Sequence, residues 1–181
     1  MSYLRNPSGN GTAAVSVDSS LGFFRQEALA TGPALTMSNL FADLLAREVA
    51  DGTRVVARTD LFTAFVPFAA RWPVEVHIYP NRFVHNLVDL SDGELDGFAQ
   101  IYLDILRRFD RMYSTPLPYI SALHQFADTD AQADGYFHVE LMSIRRSATK
   151  LKYLAASESA MDAFISDVMP ETVAERLRGL G

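Results

Sequence analysis

Ser91-Asp92-Gly93-Glu94 opens the longest periodic run in this chain. The serine and the glutamate three residues later form a capping box, in which each side chain takes a backbone N–H of the first turn. Leu95, Phe98, Ile101, Tyr102 or Leu103, Ile105, Phe109 and Met112 then recur at helical spacing. The spacing predicts a helix to about Tyr113, where Thr115-Pro116-Leu117-Pro118 breaks it. Around it lie strand-like runs of apolar and β-branched residues: 54–58, 62–67 and 74–79 before it, 119–124 and 136–144 after it. Asp60, the stretch 68–73 and Pro80-Asn81-Arg82 supply the turns. The expected fold is therefore α+β: an antiparallel sheet of about five strands with a long central helix and flanking helices.

Two flanking helices are legible. Leu40, Phe41, Leu44, Leu45 and Val49 mark one face, with Ser38 as the expected N-cap and Gly52 as the stop. Pro170-Glu171 opens the other, and Gly179 closes it. Residues 1–35, rich in Ser, Gly, Asn and Ala, read as a flexible N-terminal arm. Residues 36–181 read as one domain, with no internal repeat or linker.

The chemistry concentrates in the last two strands. Side chains alternate along a strand, so His138 and Glu140 point the same way. The polar loop ending Asp134-Gly135 favours a hairpin, which brings His124 beside His138. Two imidazoles and a carboxylate suit zinc or ferrous iron. The bland alternative is that both histidines are core residues donating to backbone carbonyls. Arg145 and Arg146 could grip a phosphate or form a solvated charge pair. His77, on an apolar strand, reads as a satisfied core or edge histidine.

Composition excludes several classes. With no Cys, disulfides, thiolate nucleophiles and Cys-based zinc sites are ruled out. A net charge of −6 gives no electrostatic footprint for nucleic acid or an anionic membrane. No leader and no apolar run of about 18 residues is present, so a cytoplasmic location is expected. There is no Gly-rich phosphate loop, and no Ser-His-Asp triad can be argued from spacing.

A family resemblance rests on ordered blocks: the run from Arg47 to Thr59, Phe65-Val66-Pro67-Phe68-Ala69-Ala70-Arg71-Trp72-Pro73-Val74-Glu75, Pro118-Tyr119 with His124, His138-Val139-Glu140, and Arg146-Ser147-Ala148-Thr149 with Lys152-Tyr153. This set resembles the C-terminal half of the galactose-1-phosphate uridylyltransferase family. The resemblance implies a histidine-triad-like domain and an exchange of uridylyl between UDP-glucose and hexose 1-phosphate through a uridylyl-histidine. It implies a structural metal, zinc or iron, at His124, His138 and Glu140. The family's fourth ligand is a Glu of the other half, and many relatives have a His where Glu140 stands. It implies hexose contacts, across a dimer, from Lys152, Tyr153, Ala155, Ser157 and Glu158, although the family usually has an aromatic where Ser157 stands. An ordinary amphipathic surface segment is the plain alternative there.

The departures are as informative. The family's nucleophile sits in a His-Pro-His motif, whereas this chain's histidines are His77, His85, His124 and His138, none within two residues of another. The N-terminal zinc-site and uridine-binding residues are missing too. The expectation is a subunit with no catalytic residue of its own, working with an N-terminal half on a separate chain. The alternative is a non-catalytic binding or structural module that keeps the fold. Hydrolysis of nucleotide conjugates, as in other histidine-triad proteins, is disfavoured by the missing triad.

Overall fold

The computed structural model describes residues 39–127 and 134–181. The expected arm over 1–35, Ser38 and most of the loop before Gly135 lie outside the described residues. Helix α1 (Leu40–Asp51) is capped by Asn39, whose side chain accepts from the N–H groups of Phe41 and Ala42, at 3.0 and 3.1 Å. Asn39 thus takes the role expected of Ser38, because its carbonyl oxygen reaches the free N–H groups of the first turn. Gly52 ends α1 at φ 71°, a left-handed conformation that glycine adopts without a Cβ penalty.

Strands β1 (Val55–Arg58), β2 (Phe62–Phe65) and β3 (Val74–Pro80) follow as an antiparallel meander. Helix α2 (Asp92–Met112) begins with the capping box read in the sequence: Ser91 accepts from the Glu94 N–H, and Glu94 accepts from the Ser91 N–H. Strands β4 (Ile120–His124) and β5 (His138–Ser143) form the expected hairpin. Short helix α3 (Ala156–Met161) and helix α4 (Pro170–Arg178) complete the chain.

The five strands run in the order β1-β2-β3-β5-β4, with every neighbouring pair antiparallel. The two site-bearing strands therefore insert so that β5 pairs with β3 and β4 forms an edge. All residues of β3 are buried, as suits a central strand covered on both faces.

Alternation sorts the two faces. Val74, Val76 and Ile78 of β3 and Val139 and Leu141 of β5 meet Ile101, Ile105, Phe109 and Met112 of α2 in the main core. Val173, Ala174 and Leu177 of α4 join the same cluster. These α2 positions are three or four apart, so they form the single stripe that the sequence spacing requires. Phe109 is 1% exposed, and its truncation to alanine costs about 3–5 kcal/mol. On the opposite face Leu45 of α1 packs with Phe65, Tyr79 and Tyr136 in a smaller cluster. That face carries the polar residues of the central strands, and α1 covers part of it. Among the described residues no helix is long and apolar enough to cross a membrane.

Candidate functional site

Register places the site. Antiparallel pairing sets His124 opposite His138, Ala122 opposite Glu140, and Glu140 opposite His77. Opposed side chains share a face, so His77, His124, His138 and Glu140 gather on the α1 side of the sheet. The His124 and His138 rings stack at 4.5 Å with 8° between planes, and His138 stacks on Tyr79 at 4.7 Å and 7°. Phe41 of α1 lies 5.3 Å from the His138 ring and closes that flank.

Glu140 lies at the centre of the cluster. Its Oε2 is 3.4 Å from His124 Nε2, and its Oε1 is 3.7 Å from His138 Nε2 and 3.6 Å from His77 Nε2. The His138 side chain is 4% exposed, whereas those of His124 and Glu140 are 29% and 24% exposed. The cluster is closed below and open at its β4 edge. One ligand atom each from His124, His138 and Glu140 lies within 4.8 Å of the others, so this group could hold a metal ion.

Two observations test whether a cation fits. His138 Nδ1 donates to the Tyr136 carbonyl at 2.8 Å, which leaves Nε2 of the neutral ring as a bare lone pair facing Glu140 Oε1. Two acceptors in that position need a proton or a metal between them. His124 Nε2 is buried without a hydrogen-bond partner. A cation bound by the three residues satisfies both nitrogens, and the tethered Nδ1 is the usual way a protein aims a ligating histidine.

The charges agree with this geometry. Burial pulls Glu140's pKa upward, but the imidazoles of His124 and His138 and the charge of His77 outweigh it and hold the carboxyl well below the usual range. Burial pushes His138 down, only partly offset by Glu140 and the Tyr136 carbonyl. At neutral pH the pair therefore presents an ionised carboxylate and a neutral imidazole, the forms that bind metal.

The 152–158 segment lies elsewhere in the fold. Lys152 Nζ pairs with Glu158 Oε1 at 2.5 Å and donates to the carbonyls of Arg71 and Ile165 at 2.7 and 2.8 Å. The same ammonium lies 5.8 Å from the Trp72 ring and 5.6 Å from that of Phe164. Glu158 accepts in turn from the N–H groups of Ala155 and Ile165. The Lys152 side chain is 8% exposed and that of Glu158 is 2% exposed, so the two form an internal clasp. Tyr153, by contrast, is 86% exposed, Ala155 is exposed and Ser157 is half-buried. Arg146 is paired with Asp167, and Arg145 donates to the Ala148 carbonyl, so both arginines are engaged within the chain.

The sequence reads His77 as a satisfied core or edge histidine and gives Glu75 no role at the site. His77 is 4% exposed and Glu75 5% exposed, and His77 Nε2 approaches Glu75 Oε1 at 2.9 Å. The reading of His77 as a satisfied histidine accounts for Nε2 alone, because Nδ1 is buried without a partner. A usable signal was present: Glu75 and His77 alternate on one strand just as His138 and Glu140 do.

A five-stranded sheet of this order, with a long helix on one face and a histidine cluster on the other, defines a histidine-triad-like α+β domain. A solved Hit-like protein from Bartonella henselae shares that fold, with a TM-score of 0.53 at 17% identity over 82% of this chain and 100% of its own. More narrowly, residues 20–181 match the family described as galactose-1-phosphate uridyl transferase, C-terminal domain, and the chain belongs to that family. It is 39% identical over 127 residues to the galactose-1-phosphate uridylyltransferase of Thermotoga maritima, covering 69% of this chain and 40% of that protein. The Streptomyces lividans enzyme of the same name is 36% identical over 150 residues, covering 77% of this chain and 42% of its own length. A solved uridylyltransferase superposes with a TM-score of 0.73 at 30% identity, over 90% of this chain and 49% of that one. The chain thus spans less than half the length of the two curated relatives.

Proposed function

We propose that this chain is the C-terminal half of a UDP-glucose–hexose-1-phosphate uridylyltransferase, acting with an N-terminal catalytic half. One observation carries the reading: the chain belongs to the C-terminal-domain family, yet its four histidines include no His-Pro-His. A covalent uridylyl-enzyme needs a nucleophile beside the phosphorus and groups that stabilise the departing charge. In this reading a histidine of the other half attacks phosphorus, and the bond to glucose 1-phosphate breaks. The hexose 1-phosphate then takes the uridylyl group and frees the histidine.

His124, His138 and Glu140 hold a divalent cation, zinc or iron, which when bound ties β4 to β5 and neutralises Glu140. The segment carrying Lys152, Tyr153, Ala155, Ser157 and Glu158 faces the hexose across a dimer in the cytoplasm. Tyr153, Ala155 and Ser157 offer the accessible contacts, and the Lys152–Glu158 clasp holds the segment. Direct contact of either charged residue with substrate requires that clasp to open.

That clasp favours a second reading, a module that retains the fold without the reaction. Mixing separates the two. Uridylyl transfer from UDP-glucose to galactose 1-phosphate is followed with this chain, with a His-Pro-His-bearing N-terminal half, and with both together. A rise in transfer on mixing supports the half-enzyme, and Lys152→Ala then impairs use of the hexose phosphate more than formation of the intermediate. Unchanged transfer on mixing leaves the module reading standing.

A further inference from the structure

We infer that His77 is a positioning residue for the candidate metal centre, holding the carboxylate of Glu140 in the orientation that ligation requires. The inference rests on the metal reading above. His77 Nε2 lies 2.9 Å from Glu75 Oε1 and 3.6 Å from Glu140 Oε1. Ionised carboxylate oxygens only accept, so the hydrogen between them belongs to Nε2 whether or not Nδ1 is protonated. That N–H donates to Glu75 on its own strand, and Oε1 of Glu140 directly opposite lies 3.6 Å from the same nitrogen, just beyond hydrogen-bond distance but within ion-pair range.

Glu75 is a fixed anchor for this bridge. Its Oε2 accepts the N–H groups of Arg71 and Trp72 at 2.7 and 3.0 Å, which holds the carboxylate at the turn before β3. The His77 ring is further bounded by Phe65 at 5.9 Å and Tyr79 at 6.4 Å. Its Nε2 is therefore held beside Glu140 on a rigid mount. The division of labour follows from the oxygens: Oε1 of Glu140 faces His77 and His138, and Oε2 faces His124. Without the His77 donor, the Glu140 carboxylate, at the exposed edge of the site, is free to rotate toward solvent. Groups just outside a metal's ligands that orient them change metal affinity by about 10- to 100-fold when removed.

The test uses the full chain and zinc ion as the probe, with affinity measured by competition against a chromophoric chelator. His77→Phe keeps the ring and its packing but removes the donor. His77→Gln places an amide N–H near the Nε2 position. The expected result is zinc affinity about tenfold or more weaker for His77→Phe, and within about threefold of the natural chain for His77→Gln. Where His77→Phe does not fold, as judged by melting without metal, His77→Leu decides in its place. Equal affinity for the natural chain and the donor-free variant overturns the inference. Equal weakening of both variants also overturns it, because packing and not donation is then responsible. A natural chain that binds no zinc overturns the metal reading itself, a result distinct from either of the others.

Discussion

Replacing His138 by alanine should abolish the stabilisation that zinc gives to this chain. The ring supplies the most buried of the three candidate ligand atoms, and its Nδ1 is already tethered to Tyr136. It also stacks between Tyr79 and His124, at 4.7 and 4.5 Å, so its removal leaves a gap and lowers the melting temperature even without metal. The informative quantity is therefore the increment produced by metal in each protein. Zinc that binds the folded state alone contributes about 2.7 kcal/mol when free metal is a hundred times the dissociation constant. For a chain of this size each kcal/mol moves the midpoint by about 2–4 °C, which gives an increment of roughly 5–11 °C for the natural chain. His138→Ala, with one imidazole and one carboxylate left, should show an increment near zero at the same free zinc. Differential scanning fluorimetry with and without chelator measures both increments, and elemental analysis of protein purified without chelator supplies the metal content. Equal increments and equal metal content in the two proteins would refute the assignment of His138 as a ligand.

Two further outcomes follow from the packing and the charges. Lys152, with backbone N–H groups of Ala155 and Ile165, holds Glu158's pKa down at about 2 against an ordinary value of 4.5. A depressed carboxyl stabilises above its unfolded value and loses that contribution as pH falls, so the protection of residues 152–165 against amide exchange, relative to the unfolded chain at the same pH, should fall between pH 4.5 and 2. In Glu158→Gln that loss of protection should be absent, and a variant whose protection falls with pH as in the natural chain would count against the clasp. A Cβ added at Gly135 would run into the Phe126 ring, so Gly135→Ala should lower the denaturant midpoint, with a cost of about 1–3 kcal/mol. A midpoint equal to that of the natural chain would show that the hairpin end yields to the added methyl.

The helix and strands were legible because each carries its own period or punctuation. Ser91 and Glu94 announce α2, and its stripe from Ile101 to Met112 is the stripe that is buried. The pairing of His124 with His138 followed from a hairpin, a local connection that sequence spacing can set. The neighbourhood of His77 was not legible in the same way. It depends on β5 inserting beside β3 across the intervening chain of residues 81–137, and local spacing carries no record of such register. Lys152 and Glu158 illustrate the same limit. The sequence offers them as hexose contacts or as part of an ordinary amphipathic surface segment, whereas the Arg71–Trp72 turn, distant in sequence, encloses the ammonium. The N-cap shifted from Ser38 to Asn39 because both residue types cap well, and propensity alone does not choose between neighbours.

On the function proposed above, these residues contribute to uridylyl transfer without carrying the nucleophile. The most direct measurement places the covalent label. This chain and an N-terminal half bearing His-Pro-His are incubated, separately and together, with UDP-glucose labelled in its uridylyl group, then resolved on a denaturing gel. Label is expected on the N-terminal half alone, with none on this chain under any condition. Stable label on this chain by itself would contradict it.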